Sequence, residues 1–269
     1  MNRQRLARSF SSLVALALVG GCTLSSAEEV SEKTFSVKPG TGVKVETRNG
    51  RIKVVEGRDG KVRVKSIKKV RATASSRKLL TQIKVVVTEK AGTLYVTAEH
   101  PSGSFTKQFG VSFELTVPKG TRLDLETRNG SIRLGRMHGP VAVSTRNGAI
   151  KAEHVAGVFK AITKNGSIRI GGVASTFEIR SRNGSINVRL ADGVKLTGKC
   201  TVETRNGSVR VSAPKTLSAT VSAETRNGSI HSDFGLAVSS RNHANGKIGG
   251  GGQPIELKTR NGSIHLESR

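Results

Sequence analysis

The stretch TRNGSI at residues 127–132 decides how this chain folds, because the polypeptide repeats it. Close copies are TRNGRI from residue 47, TRNGAI from 145, TKNGSI from 163, SRNGSI from 181, TRNGSV from 204, TRNGSI from 225, an expanded SRNHANGKI from 240 and TRNGSI from 259. From Asn129 to Asn147, Asn165 and Asn183 the step is 18 residues. A fixed period of this length is typical of stacked repeats, so the motif describes architecture before chemistry.

Apolar and polar residues alternate on both sides of each Asn-Gly pair, as in strands with one buried face. In the first full repeat, Leu123, Leu125 and Thr127 share one face, and Ile132 continues that face beyond the bend. Two architectures fit: a meander of hairpins closed by Asn-Gly turns, or a single-chain β-solenoid with coils of about 18 residues. We favour the all-β solenoid, because stacking at ~4.8 Å explains why successive bends have the same sequence.

The solenoid assigns a role to each position of the motif. Asn-Gly indicates bends that need positive φ. These predicted structural turns are Asn129 and Gly130, Asn147 and Gly148, Asn165 and Gly166, Asn183 and Gly184, Asn206 and Gly207, Asn227 and Gly228, and Asn261 and Gly262. The residue two places before each Asn points inward, and its hydroxyl is expected to bond to a neighbouring coil, as the Asn amides are. This ladder comprises Thr127, Thr145, Thr163, Ser181, Thr204, Thr225, Ser240 and Thr259.

Composition divides the chain into four parts: a signal peptide at 1–21, a flexible tether at 22–34, an amino-terminal β-rich cap with the first repeat at 35–120, and solenoid repeats at 121–269. A short helix is expected within SSRKLLTQI at 75–83. The sequence stops at IHLESR, almost inside a repeat. We therefore expect an uncapped carboxy-terminal coil that is available for self-association.

The amino terminus predicts export. Three arginines precede an apolar run that is too short to span a bilayer and that ends at Cys22. LVGGC resembles a bacterial lipobox, which implies lipidation of Cys22 and a membrane anchor. Thr23 after the cysteine favours the outer membrane of the bacterial envelope. The alternative is an ordinary cleaved signal. Cys200 is left without a disulfide partner and is expected to be buried.

The chain is strongly basic, with 45 Lys and Arg against 19 Asp and Glu and a net charge of +26. A basic residue precedes each repeat asparagine, and these are the candidate anion-binding residues: Arg128, Arg146, Lys164, Arg182, Arg205, Arg226 and Arg260, with Arg48 and Arg241 in equivalent positions. A second basic row follows the bend at Arg133, Lys151, Arg169 and Arg210. Glutamates two places upstream of four of the candidates indicate partial charge compensation: Glu46, Glu126, Glu203 and Glu224.

Neither catalysis nor a cofactor is indicated by the sequence. Polysaccharide-cleaving β-helix enzymes need paired carboxylates, and no two aspartates share a coil position. His231 and His265 occupy equivalent positions, but we expect them two coils apart, too far to share a metal ion. With no Trp and 3% aromatic residues, the chain also lacks the stacking platforms of single-strand nucleic-acid binders.

VSFELTVPKGTRLDLETRNGSIRL at 111–134, preceded by VETRNGRIKVVEGRDGKVRV at 45–64, resembles the bacterial putative-adhesin domain family, a domain of unknown function with repeated Asn-Gly turns. The resemblance implies a β-solenoid-like envelope protein, often a lipoprotein, and supplies no catalytic residues. We expect a non-enzymatic lipoprotein whose Arg ladder binds an anionic polymer: acidic polysaccharide, lipopolysaccharide or extracellular DNA. The alternatives are a structural or assembly module without a ligand, a nucleic-acid-binding protein, or a polysaccharide-degrading enzyme.

Overall fold

The computed structural model describes residues 12–13, 26–71, 80–99 and 109–269. Cys22 and most of the predicted signal peptide lie outside these ranges, as do residues 75–79 of the predicted helix. The described end of that segment, residues 80–82, is helical. No helix within the described ranges is long and apolar enough to cross a membrane.

The described residues form twenty-four β-strands. In chain order they are β1 (Ser12–Leu13), β2 (Ser26–Ser36), β3 (Gly42–Asn49), β4 (Ile52–Gly57), β5 (Lys61–Arg71), β6 (Lys84–Lys90), β7 (Thr93–Glu99), β8 (Phe109–Pro118), β9 (Leu123–Asn129), β10 (Ile132–Met137), β11 (Val141–Asn147), β12 (Ile150–Val155), β13 (Phe159–Asn165), β14 (Ile168–Val173), β15 (Phe177–Asn183), β16 (Ile186–Leu190), β17 (Cys200–Asn206), β18 (Val209–Ala213), β19 (Ala219–Asn227), β20 (Ile230–Ser232), β21 (Ala237–Ser240), β22 (His243–Ile248), β23 (Pro254–Asn261) and β24 (Ile264–Ser268).

The strands build two sheets of twelve. One sheet has the order β1-β2-β5-β8-β4-β10-β12-β14-β16-β18-β24-β20, and the other β21-β22-β19-β23-β17-β15-β13-β11-β9-β3-β7-β6. Each coil contributes one strand to each sheet, and the chain passes between the sheets at Asn-Gly. Successive coils pair in parallel with equal motif positions opposite each other, as in Thr127↔Thr145 and Thr145↔Thr163. The predicted all-β, solenoid-like fold is therefore confirmed, and the hairpin meander is excluded.

A narrow apolar core separates the two sheets. The column that follows the bends is almost completely buried: Ile132, Ile150, Ile168, Ile186, Val209 and Ile264. In the opposite sheet, Phe159 pairs directly with Phe177, and both are buried. Cys200 is a buried free thiol, and burial raises its pKa above the ordinary value. Columns of similar side chains fill this core because every coil has the same register.

The amino-terminal strands close one end of the stack. Strands β2, β5 and β8 are antiparallel neighbours, and β6 pairs antiparallel with β7. The expected tether at 22–34 is wrong from residue 26 onward, because β2 pairs along its whole length with β5. Opposite charges face each other across this pair: Lys68 Nζ lies 2.8 Å from Glu29 Oε1, and Lys69 Nζ lies 3.8 Å from Glu28 Oε2. Such cross-strand pairs favour a sheet over a mobile linker.

The first repeat belongs to the stack itself, since β3 and β4 pair in parallel with β9 and β10. On the edge opposite the Asn-Gly bends, Glu56 joins three segments of this region. Its carboxylate accepts hydrogen bonds from the backbone N–H of His138 at 2.8 Å, from the backbone N–H of Gly120 at 3.1 Å, and it contacts Nδ1 of His138 at 2.5 Å.

The expected exposed carboxy-terminal coil is also wrong. The coil formed by β23 and β24 lies between the coil of β17 and β18 and the coil of β19 and β20. The coil that is last in the chain is therefore inside the stack. The final coil in space is β19 with β20, and β22 covers its β19 edge by antiparallel pairing. All coils carry the same motif, so any of them can pair with any other, and chain order does not dictate spatial order.

Candidate functional site

The Asn-Gly bends form one continuous edge of the stack. Each repeat asparagine donates its Nδ2 hydrogen to Oδ1 of the next asparagine at 2.6 to 2.7 Å, in the spatial order Asn227, Asn261, Asn206, Asn183, Asn165, Asn147, Asn129 and Asn49. The inward hydroxyls donate to the glycine carbonyl of a neighbouring coil, as Thr145 does to Gly130 O at 3.0 Å. These two ladders fix the position of the residue between them.

Close packing explains the glycine of each bend, and positive φ accompanies it at only some of them: Gly50, Gly184, Gly207 and Gly262 have φ of 156°, 153°, 149° and 147°. Gly130 and Gly148 are not among the glycines with positive φ, and the only such non-glycine residue in the described ranges is Ala91. A Cβ on Gly148 would lie 1.9 Å from Gly130 O, far inside any real contact. The expectation of positive φ at the bends is therefore wrong for the asparagines, and for the glycines it holds at four bends but not at Gly130 and Gly148. Glycine is needed because successive bends stack backbone on backbone.

The residue between the two ladders is basic in eight stacked coils. We call this set the basic column: Arg48, Arg128, Arg146, Lys164, Arg182, Arg205, Arg260 and Arg226, in spatial order. All are exposed except Lys164, which is half-buried. Flanking pairs such as Thr127↔Thr145 and Asn129↔Asn147 hold neighbouring members one strand spacing apart, or ~4.8 Å.

Arg241, predicted to occupy this column, lies elsewhere. It is exposed in the turn between β21 and β22, which form an antiparallel hairpin instead of a coil. Ser240 is likewise outside the buried hydroxyl ladder, since it is an exposed residue of β21. The extra residues in SRNHANGKI separate the arginine from a bend that could stack on its neighbours.

No member of the basic column has a carboxylate within 4.0 Å among the described residues. The upstream glutamates pair with other cations: Glu46 with Lys44 at 2.9 Å, Glu203 with Arg180 at 3.4 Å, and Glu224 with Lys258 at 3.8 Å. The expected compensation of the arginines by these glutamates is therefore wrong. Glu203 and Glu224 pair with cations directly opposite them on neighbouring coils, one strand spacing of ~4.8 Å away. Glu46 pairs with Lys44, two places before it on the same strand.

An uncompensated column of this kind has an unfavourable self-energy. Two unit charges 4 Å apart repel by about 1 kcal/mol in bulk water and by more near a low-dielectric surface. The repulsion extends along the whole edge, because each interior member has two cationic neighbours. Screening by salt or a bound anion reduces it. The edge therefore favours negatively charged ligands whose charges lie in a line.

Two open clefts flank the basic column. One, of about 590 Å³, lies over the second sheet beside Glu126, Ser144 and Ile162 and is lined by Arg128, Arg146, Lys164 and Arg182. The other, of about 540 Å³, lies on the bend side and is lined by column residues together with the amides of Asn49, Asn129, Asn147 and Asn165. The sequence predicted these asparagines as turns and as partners of an amide ladder, but not as residues that line a cleft. Their regular spacing beside the arginines was the available signal for a role in lining a cleft.

The second basic row runs along the outer face of the first sheet. Register pairs place Arg133 beside Lys151, and Lys151 beside Arg169. Lys53 extends the row, since it pairs with Arg133; its equivalent place after the first Asn-Gly could have identified it. This row differs from the basic column because one of its cations has a carboxylate partner. Arg210 Nε lies 2.9 Å from Glu267 Oε1.

The two histidines at the end of this row are direct neighbours, contrary to the sequence expectation. His231 pairs with His265 across β20 and β24, and their ring centroids are 5.3 Å apart in a stacked arrangement. The insertion of the last coil brings them together. No group of three or more His, Cys, Asp or Glu side chains in the described parts of the chain could hold a metal ion.

The fold and the basic column define the class of the molecule, which is a β-solenoid-like repeat protein with a basic edge. The chain belongs to the family Toastrack DUF4097, whose model matches residues 123–267, more than half of its length. The resemblance inferred from the repeated Asn-Gly turns is thereby confirmed.

Comparison with solved structures finds matches at low identity and low TM-score. A crystal structure described as a putative adhesin from Bacteroides fragilis is 13% identical, with a TM-score of 0.39, over 90% of this chain and 97% of its own. One described as a putative adhesin from Parabacteroides merdae is 9% identical, with a TM-score of 0.36, over 88% and 95%. One described as a putative lipid binding protein from Parabacteroides distasonis is 12% identical, with a TM-score of 0.30, over 88% and 96%. No curated protein matches the sequence significantly.

Proposed function

We propose that this protein is a non-enzymatic adhesin of the bacterial envelope, anchored by a lipid at Cys22, whose basic column binds a linear anionic polymer. One observation carries the proposal. Eight cations stand in register along one edge, and no carboxylate of the described residues neutralises any of them. Cationic side chains that are kept apart from internal partners attract polyanions and accelerate their association.

The linear arrangement supports an extended ligand over a compact one. A small anion can contact two or three members of the basic column, whereas a polymer lying along the stack can contact all eight. Each added contact is intramolecular once the first has formed, so affinity rises with ligand length. Because the column follows the stack of coils, the polymer is expected to run along the stacking direction and across the strands.

The asparagine edge supports a glycan more than a nucleic acid. An amide has two N–H donors, and each ladder contact uses one of them, which leaves a donor on each of Asn129, Asn147 and Asn165 along the bend-side cleft for hydroxyl and carboxylate oxygens. Binding of single-stranded nucleic acid relies on base stacking upon aromatic side chains, and Phe109, the aromatic residue that lines the bend-side cleft, is only 4% exposed. We therefore propose acidic polysaccharide, free or as part of lipopolysaccharide, as the ligand class.

The test compares two triple variants of the mature protein with the same charge change. Arg146→Ser, Arg182→Ser and Arg205→Ser together remove part of the basic column. The control, Arg122→Ser, Arg136→Ser and Lys195→Ser, removes three exposed cations away from it. Binding to heparin and to lipopolysaccharide is measured by calorimetry at low and moderate salt.

The column variant is expected to lose about 5- to 100-fold in affinity, from about 0.3–1 kcal/mol per exposed ionic contact. It should also show a shallower dependence on salt. The control should bind like the wild type. Equal losses in both variants would mean that net charge alone attracts the polymer, and unchanged binding of the column variant at low salt would remove the proposal.

A further inference from the structure

The carboxy-terminal coil, residues 254–269, occupies a slot one coil wide between two coils that precede it in the chain. On one side β23 pairs with β17, and on the other with β19. In the other sheet β24 pairs with β18 and with β20. Residues 219–248 lie on the far side of this slot from the preceding coils, and the chain returns to fill it.

The two coils that border the slot bind any coil that carries the repeat motif, whichever segment connects that coil to the rest of its chain. Thr259 donates to Gly207 O at 2.9 Å, as Thr225 donates to Gly262 O at 2.8 Å on the other side. Asn261 takes its place in the amide ladder by donating to Asn206 and accepting from Asn227. These contacts depend only on the coil that enters. A carboxy-terminal coil from a second copy of the chain would make every one of them.

The connection that carries the coil into the slot is four consecutive glycines and a glutamine, residues 249–253. Gly249, Gly251 and Gly252 have φ of 57°, 78° and 146°, and nothing lies within 4 Å of a Cβ placed on Gly250. Glycine has the largest conformational freedom of any residue, so this segment can straighten at little steric cost. Fully extended, five residues reach ~17 Å, enough to direct the coil away from its own body.

The end of the inserted coil is held by an ion pair and by hydrogen bonds to the rest of the protein. Arg269 Nη1 lies 2.9 Å from Asp192 Oδ1, its backbone N–H donates to Ala213 O at 3.0 Å, and its carbonyl accepts from Lys215 N–H. Ser268 N–H donates to Asp233 Oδ2 at 3.0 Å. Residues 268 and 269 thus bond the coil to both neighbouring coils, and an exchanged coil would make the same bonds.

We propose that the carboxy-terminal coil is an exchangeable element, and that the partner it fits is the slot of a second copy of this chain. Reciprocal exchange gives a closed dimer, and head-to-tail exchange gives an open chain of copies. Either product brings two or more basic columns into one assembly without a new interface having to be built. The inference is independent of what the basic column binds.

The test uses cysteine pairs in the mature full-length chain with Cys200 replaced by alanine and Cys22 by serine. Glu203 and Lys258 are register partners across the slot and are both exposed, and the strand spacing of ~4.8 Å lies within the range that a disulfide spans. One preparation carries Glu203→Cys and the other Lys258→Cys. They are mixed at high concentration, natively and after unfolding and refolding, and then oxidised.

The matched control is the pair Glu126→Cys and Ser144→Cys, which are register partners in interior coils that lack a glycine hinge. A chain with both Glu203→Cys and Lys258→Cys reports whether the slot geometry permits the bond. Exchange predicts covalent heterodimers from the slot pair in about tenfold or greater excess over the control pair, an apparent preference of about 1.4 kcal/mol. Equal yields from the two pairs in native and refolded samples overturn the proposal.

A second variant keeps the proposal testable if a cysteine substitution prevents folding. Deletion of Gly250 and Gly251 shortens the hinge, so that the coil reaches its own slot less easily than a neighbour's. Light scattering is expected to show dimers or larger species where the unaltered hinge gives mainly monomer. A monomeric deletion variant with native circular dichroism would count against exchange.

Discussion

Replacement of Gly148 by alanine tests the claim that backbone stacking holds the coils together. Gly148 lies in the middle of the stack, and the ideal position of an added Cβ is 1.9 Å from Gly130 O and 2.5 Å from its carbonyl carbon. Real Cβ atoms essentially never come within 3.0 Å of such an atom. Since Gly148 does not have a positive φ, the new methyl group adds a steric contact and no backbone strain.

The size of the effect follows from the bonds at that contact. To relieve the clash between the added Cβ and Gly130 O, the two bends must separate by about 1 Å, which breaks or weakens two hydrogen bonds between them. These are the bond from Gly130 N–H to Asn147 O at 3.0 Å and the bond from the Thr145 hydroxyl to Gly130 O at 3.0 Å. At about 1 kcal/mol for each bond and about 1–3 kcal/mol for overpacking, the loss in the free energy of unfolding is about 3–5 kcal/mol. For a chain of this length that lowers Tm by roughly 6–20 °C.

Thermal and urea unfolding followed by circular dichroism measure the change. Gly235→Ala is the matched control, because nothing lies within 4 Å of its added Cβ and its φ is not positive. It should change the free energy of unfolding by less than about 0.5 kcal/mol. A Gly148→Ala protein that melts within about 2 °C of the wild type would refute the view that bend-to-bend contact selects glycine.

Three further outcomes are expected. Thr163→Val, which keeps the shape of a side chain that is 2% exposed but removes its bond to Gly148 O, should cost about 1–2 kcal/mol in urea unfolding; Thr163→Ser, which keeps the hydroxyl, should cost less. Burial raises the pKa of Glu56, but hydrogen bonds from His138 and Gly120 outweigh it and hold the pKa below the usual 4.5. The ionised carboxylate therefore stabilises the fold above the unfolded pKa, and this stabilisation is lost as pH falls through the lower folded pKa. Glu56→Gln should remove part of the fall in Tm between about pH 5 and pH 3. Parallel curves of Tm against pH for the two proteins would contradict this. The triple variant of the basic column should be more stable than the wild type without ligand at low salt, by about 1 kcal/mol, with the difference vanishing in high salt; a less stable variant at low salt would show that the column is not repulsive.

Local pattern was enough to predict the repeating unit. The alternation around TRNGSI identified the buried faces of β9 and β10, and the constant step of 18 residues identified parallel stacking. The basic column was also predicted, because a residue that lies between two inward positions of an extended strand must point outward. These inferences succeeded since they depend on side-chain alternation, which a residue's immediate neighbours impose.

Predictions that needed knowledge of which coil lies beside which failed. His231 and His265 were placed two coils apart, and the last coil at an open end, because chain order was taken as spatial order. Glu203 was assigned to Arg205 along its strand, whereas it pairs with Arg180 of the neighbouring coil. The reason for glycine at each bend was also missed, since the clash is with a carbonyl of another coil.

The sequence by itself determined the coil: its length, its two strands, its buried hydroxyl and the outward cation that repeats with it. Only the tertiary structure decided the order of the coils, the stacking of the two histidines and the absence of carboxylates from the basic column in the described residues. The physical reason lies in the repeat. Coils that share one motif offer each other nearly identical edges, so the choice between them rests on the connecting segments, such as the glycine hinge at 249–253, and on contacts between residues far apart in the chain.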